Sequence, residues 1–163
     1  MTELRVGIGV DAHALADGVP LVLGGVEFAA DRGLAGHSDG DVIAHALIDA
    51  VLGAAALGDI GTLFPSDSPE WQGASSLDLL RRAYTGVREA GYELVNADCV
   101  LIGEQPRIGP RRGEMQERLA AALDVDPLRV TVRATTTDRL GFTGRGEGLA
   151  AQAVALLRRV ERQ

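Results

Sequence analysis

Residues 4–13 read LRVGIGVDAH, and their alternation is the clearest structural signal in the chain. Leu4, Val6, Ile8, Val10 and Ala12 fall on one face of an extended segment; Arg5, Gly7, Gly9, Asp11 and His13 fall on the other. A period of two sustained this long predicts a half-buried strand. Asp11 and His13 leave it on the same side, and the glycines beside them clear that side for something to approach the backbone.

Outward from this strand the elements alternate. Residues 20–28 (PLVLGGVEF) predict two short strands turning at Gly24-Gly25. Residues 41–57 predict a helix, with Ser38 and Asp41 in capping-box-like spacing and Gly58 beyond its end. A loop rich in proline, serine and aspartate follows at 62–74, then a helix over 75–90 closed by Gly91. Residues 93–103 predict a buried strand and 110–123 a helix with proline in its first turn. Residues 129–136 alternate again, before a glycine-rich loop at 141–148. Alanines and leucines give 149–160 helical propensity. With no repeat or linker, the order predicts one α/β domain over residues 1–163.

Composition narrows the function. Sixteen basic against twenty-three acidic residues give a net charge of −7, which argues against nucleic acid or an anionic membrane as the main partner. No apolar run reaches the roughly 18 residues of a membrane helix, and the N-terminus lacks a signal-peptide pattern. The single cysteine, Cys99, rules out an intramolecular disulfide and suits a reducing cytoplasm; its apolar surroundings predict a buried thiol. Every basic residue is arginine. Schiff-base chemistry, a P-loop lysine and a lysine base are therefore excluded, and any phosphate must be met by arginine, backbone N–H groups, hydroxyls or metal.

The 3 histidines lie between positions 13 and 45. His45 sits mid-helix, on a face shared with Asp41 and Asp49, and is the best third partner for Asp11 and His13. Two imidazoles and a carboxylate form the three-ligand pattern of catalytic zinc, with a fourth position open to water or substrate. Asp49, one turn from His45, is placed to orient its second ring nitrogen. The bland alternative is an ordinary strand histidine and a satisfied core histidine.

His37 and Ser38 precede the helix carrying His45, where free N–H donors and the helix dipole suit phosphate; Ser38 is equally a candidate N-cap. Thr135, Thr136 and Thr137 open the loop TTTDRLGFTGRGEG, whose hydroxyls suit a phosphate and whose Asp138 suits Mg²⁺. Asp59 is either a hydroxyl acceptor or the start of a turn.

Three segments in this order, GIGVDAHAL, AGHSDGDVIAHALIDAVLGAAALGDIGTLFP and VRATTTDRLGFTGRGEG, resemble the 2-C-methyl-D-erythritol 2,4-cyclodiphosphate synthase family of non-mevalonate isoprenoid biosynthesis. The likeness runs essentially end to end. It implies cyclisation of 4-diphosphocytidyl-2-C-methyl-D-erythritol 2-phosphate with release of CMP, the 2-phosphate attacking the β-phosphorus without a protein nucleophile. It implies zinc on Asp11, His13 and His45, and a second cation, Mg²⁺ or Mn²⁺, on Asp138. His37 and Thr136 match positions that polarise the phosphates, joined by Ser38. Asp59, Ile60, Gly61, Phe64, Pro65, Ser66, Asp67 and Ser68 match the methylerythritol side. Gly103, Glu104, Gln105, Pro106, Arg107, Ile108, Gly109, Thr135 and Thr137 match cytidine and diphosphate contacts; Phe142 and Arg145 match binding positions.

The same resemblance implies an α+β fold with a mixed, mostly four-stranded sheet and helices on one face. It implies a cytoplasmic homotrimer with sites between subunits, and in some members a central cavity admitting isoprenoid diphosphates. It also implies that 149–160 is a strand, against its propensity. The sequence departs from the family pattern at Asp138, usually glutamate, at Ser66, commonly aspartate, and at Arg107, usually lysine. Two other readings share the residues: a zinc phosphoesterase releasing acyclic products, and a non-catalytic sensor of isoprenoid diphosphates.

Overall fold

A computed structural model describes residues 3–161; the outermost residues of the expected 1–163 domain lie outside it. Strand β1 (Leu4–Asp17) is longer than its alternating core. A hairpin follows, β2 (Leu21–Leu23) and β3 (Val26–Phe28), and then β4 (Arg32–Leu34). Gly24 and Gly25 have φ of 57° and 75°, the left-handed pair of a tight two-residue turn. The remaining order is α1 (Val42–Ala55), α2 (Ile60–Leu63), α3 (Ser76–Glu89), β5 (Tyr92–Ile102), α4 (Arg112–Leu123), β6 (Val130–Thr135), α5 (Gly141–Gly144) and β7 (Gly148–Arg159).

The main sheet has strand order β4-β1-β7-β5-β6, mixed because only β5 and β6 run parallel. It has five strands rather than four, the fifth being the three-residue edge β4 paired to the end of β1. Two segments expected as loops contain short helices, α2 and a 3₁₀ turn at Pro69–Trp71 in the first and α5 in the second. Residues 148–159 form a central strand, as the family resemblance implies and against their helical propensity. Propensity loses here because β7 pairs with β1 on one side and β5 on the other, and its alanines suit a face packed closely on a helix.

Helices α1, α3 and α4 cover one face of the sheet. The side of β1 bearing Gly7 and Gly9 was expected to admit a ligand; α1 fills it instead. A Cβ on Gly7 would lie 2.0 Å from the Ala50 carbonyl oxygen, and one on Gly9 1.8 Å from that of Ala46. Glycine on the strand and alanine on the helix thus let the two backbones meet, and α1 is buried almost all round because α3 lies over it. The opposite sheet face is bare: Leu4, Val6, Ile8 and Val10 are 58–70% exposed.

The N-cap of α1 is Asp41, not Ser38. Asp41 Oδ1 accepts the Ala44 N–H at 3.1 Å and the Gly24 N–H at 2.9 Å, and Oδ2 accepts the Gly25 N–H at 2.7 Å. One buried carboxylate therefore ties the β2–β3 turn to the start of the helix that carries His45.

Candidate functional site

Seating α1 on β1 delivers His45 to the two strand side chains. Asp11 Oδ2 lies 2.8 Å from His13 Nε2 and 3.2 Å from His45 Nδ1, and the two ring nitrogens are 3.3 Å apart. All three ligand atoms fit within 4.8 Å. The His13 Nδ1–H donates to the Ala35 carbonyl at 2.8 Å; a carbonyl only accepts, so neutral His13 turns a bare lone pair on Nε2 toward Asp11.

That arrangement lacks a positive charge. Asp11 Oδ2 is sealed from water and finds no hydrogen-bond donor among the described residues. A lone pair and a carboxylate oxygen at 2.8 Å repel unless a cation lies between them, either a metal ion or a proton on the ring. With both rings fully protonated, burial, which raises the Asp11 carboxyl, is outweighed by hydrogen bonds from His13 and His45, and the carboxyl is held at about 2. The Asp11 hydrogen bond raises His13 against the opposing effect of its burial. The donor set fits a divalent metal.

Asp49 does not orient His45. Burial raises its carboxyl, and its Oδ1 accepts the Ile60 N–H at 2.7 Å, tying α2 to α1. The second nitrogen of His45 meets Ser38 Oγ and Ser76 Oγ, each at 2.9 Å. Sequence reading missed Ser76 because the contact spans 31 residues; its place in a Ser-Ser pair at a helix start reads as a cap.

The cluster forms the floor of a cleft of about 540 Å³. His37, Ser38, Ile60, Gly61 and the stretch 64–67 line it, as do Trp71 and Leu79, which carried no motif. Ser66 and Asp67 both reach the cleft, so an acidic side chain stands next to the departure at 66. Two expected residues do not line it. Asp59 caps α2, accepting from Thr62 N and Oγ1 at 2.8 Å each, and Ser68 offers its carbonyl to the His37 Nε2–H at 3.0 Å.

A second cavity of about 570 Å³ is lined by residues 103–109 with Thr135 and Thr136, and shares no lining residue with the first. Asp138, exposed and with φ of 51°, stands beyond its edge and accepts the Thr136 hydroxyl at 3.3 Å. Nearby, Thr137 Oγ1 bonds the Leu140 carbonyl and Arg145 pairs with Glu147. The register places Ala12, Ala150, Ile102 and Thr135 in one row across β1, β7, β5 and β6. Three strand spacings separate Thr135 from the metal-bearing strand, about 14 Å.

The YgbB family model matches residues 4–158. The chain belongs to this family. Among YgbB relatives, a 2-C-methyl-D-erythritol 2,4-cyclodiphosphate synthase from Rubrobacter xylanophilus is 58% identical over 162 residues, covering 98% of each chain. One of the same name from Symbiobacterium thermophilum is 57% identical over 154 residues, covering 94% of this chain and 98% of its own. Solved structures of the family share the fold. An IspF from Plasmodium falciparum in a CDP complex gives a TM-score of 0.85 at 30% identity, covering 99% of each chain. The bifunctional IspDF from Campylobacter jejuni gives 0.95 at 43% identity over 99% of this chain, which spans 44% of that longer protein.

Proposed function

We propose that this chain is a 2-C-methyl-D-erythritol 2,4-cyclodiphosphate synthase of the non-mevalonate isoprenoid pathway. An oxygen of the 2-phosphate of 4-diphosphocytidyl-2-C-methyl-D-erythritol 2-phosphate bonds to the β-phosphorus; the bond from that phosphorus to the bridging oxygen breaks, and CMP leaves with that oxygen. The observation that carries this reading is the Asp11–His13–His45 cluster on the floor of a cleft, with its water-sealed carboxylate oxygen lacking a donor.

The substrate supplies its own nucleophile, so the chain has to bind, orient and neutralise. Asp11, His13 and His45 hold zinc, and Asp138 contributes to a Mg²⁺ or Mn²⁺ site through a hard oxygen. When bound, the two ions offset phosphate charge as Lewis acids. His37 and Thr136 polarise the phosphates. Ser38 joins His37 at the phosphates; residues 60–61 and 64–67 seat the methylerythritol end, with Asp59 capping α2 and Ser68 holding His37 behind them. Residues 103–109, 135 and 137, with Phe142 and Arg145, take the cytidine diphosphate. The Ser68 carbonyl orients His37 by accepting its Nε2–H, so Nδ1 donates to a phosphate only when the ring carries both protons.

The assembly in this reading is a cytoplasmic homotrimer of one-domain subunits, with active sites between neighbours. Two features support it. The row of apolar side chains on the bare sheet face is of the kind that marks an interface. The cleft with His37 and the cavity with Thr136 are separate in one chain, so a neighbour has to bring the second to the first. An isoprenoid diphosphate in a central cavity completes this set of partners; nucleic acid and membrane do not belong to it.

The test is zinc content and product identity together. Wild type is expected to carry about one zinc per chain and to give a cyclic diphosphate by phosphorus NMR. His45→Ala is expected to lose both. Acyclic products from wild type would make the enzyme a phosphoesterase, and full activity without bound metal would remove the basis of the proposal.

A further inference from the structure

His45 presents Nδ1 to Asp11 and His13 and buries Nε2 between two hydroxyls, Ser38 Oγ and Ser76 Oγ. A hydroxyl can donate or accept, so these contacts alone leave the polarity of the imidazole open. Asp39 closes the question. Its Oδ1 accepts the Ser76 hydroxyl and, at 3.1 Å, the Asp41 N–H. Its Oδ2 accepts the Ser76 N–H at 3.0 Å. Three hydrogens converge on an ionised carboxylate, which has none to return.

Ser76 owns one hydroxyl proton, and Asp39 takes it. Ser76 Oγ therefore meets His45 Nε2 as an acceptor, the ring proton sits on Nε2, and Nδ1 keeps a bare lone pair. Ser76 is fully buried, so water does not replace it. Asp39 is itself fixed, its N–H donating to the Ala74 carbonyl at 3.1 Å. The chain of contacts runs from the segment before α1, through the first residue of α3, to the first turn of α1. Ser38 shares the same N–H as a second acceptor, and with the Ser76 proton committed to Asp39 its own hydroxyl is the donor in the 3.4 Å contact with Ser76 Oγ.

We propose that Asp39 and Ser76 are positioning residues that impose the Nε2–H tautomer on His45 and aim Nδ1 at the metal. This deepens the zinc reading and rests on it. Asp39→Asn is the sharper probe. An amide turned to keep an oxygen on the Ser76 N–H puts its NH₂ against Ser76 Oγ. The hydroxyl must then donate to His45 Nε2, and the ring proton moves to Nδ1, where it blocks the metal. Ser76→Ala removes the acceptor without reversing the polarity, and Ser38 remains.

The decisive measurement is made on wild type, so no variant has to fold for it. In metal-free, ¹⁵N-labelled protein at alkaline pH, long-range proton–nitrogen spectra are expected to show His45 protonated on Nε2 and bare on Nδ1. Chelator competition is expected to show zinc affinity lowered about 10-fold in Ser76→Ala and toward 100-fold in Asp39→Asn, the range typical of such outer partners. Asp39→Asn should also show the reversed tautomer, which a merely structural role would not produce. An Nδ1–H tautomer in wild type, or variants that fold and bind zinc as tightly as wild type, overturns the inference while zinc content stands. A wild type that binds no zinc removes both this inference and the reading beneath it.

Discussion

At the scale of single residues, the ligand cluster makes metal and proton rivals for one place. Asp11 raises His13 above its ordinary 6.5 in the folded, metal-free protein. A raised histidine adds stability that is full below 6.5 and fades as the pH climbs through the folded value. Asp11, held near 2 against an ordinary 3.8, adds stability above 3.8 that is lost as the pH falls toward 2. Metal-free protein is thus expected to gain from this pair mainly between the two windows, in denaturant titrations at stepped pH. Zinc must displace the His13 proton, so its affinity is expected to fall as pH drops through the raised His13 value, with proton release measurable by calorimetry in buffers of different ionisation heat. A pH-independent affinity would show that no proton occupies the site. The Asp-x-His pair and the helix histidine were readable because a strand has period two and a helix 3.6, although His45 stands in the first turn of α1 and not mid-helix. Asp39 and Ser76 were not readable, since their partnership with His45 is fixed only when α3 packs on α1.

At the scale of elements, two devices hold α1 where His45 can work. The first is the Asp41 carboxylate. Burial, which outweighs three backbone donors, pushes it up to about 6. A raised carboxyl works in the opposite sense to Asp11: the folded state binds the proton more tightly than the unfolded one. Its contribution is therefore most favourable below 3.8 and declines as the pH rises toward 6. The donors still need an acceptor, so Asp41→Ala is expected to cost about 2–3 kcal/mol in urea unfolding at neutral pH through the lost cap and orphaned N–H groups. A cost near zero would mean that water reaches these groups.

The second device is the glycine–alanine seam. Gly9→Ala drives a methyl into the Ala46 carbonyl and is expected to destabilise by about 3 kcal/mol or more, with zinc affinity falling as α1 lifts. Gly53→Ala, on the same helix with open space around it, is expected to stabilise by about 0.5–1 kcal/mol. Equal effects would show that the seam is not tight. Composition announced most of this: the alternating strand, the alanine-rich helix and the Gly-Gly turn all carry local signatures. What local reading could not supply was the purpose of the glycines, which serve a helix backbone rather than a ligand. Nor could it assign β7, whose alanines read as helix until strands flank them on both sides.

At the scale of the whole molecule, the sheet has a use for each face. One side carries the helices and, in the second half of β1, the metal cluster; the other carries the cross-strand pairs Val6–Leu156 and Ile8–Val154, with Val6, Ile8 and Val154 exposed. Ile8→Arg sets a charge in the middle of that face and leaves the ligand side untouched. In the proposed trimer it is expected to yield monomers by sedimentation, with zinc still bound and turnover lost, because a neighbour would no longer bring Thr136 to His37. Mixing subunits isolates the shared site from simple destabilisation. His45→Ala and Thr136→Ala homotrimers are each expected to be nearly inactive. Unfolded together in equal amounts and refolded, they are expected, in the proposed assembly, to form sites that draw the metal cluster from one chain and Thr136 from the next. Under threefold symmetry about one site in four receives both intact halves, so roughly a quarter of wild-type turnover is expected to return. Each mutant refolded alone should recover nothing. If the mixture also stays inactive while wild type survives the same treatment, the two halves reside in one subunit, and the proposed site between neighbours is overturned.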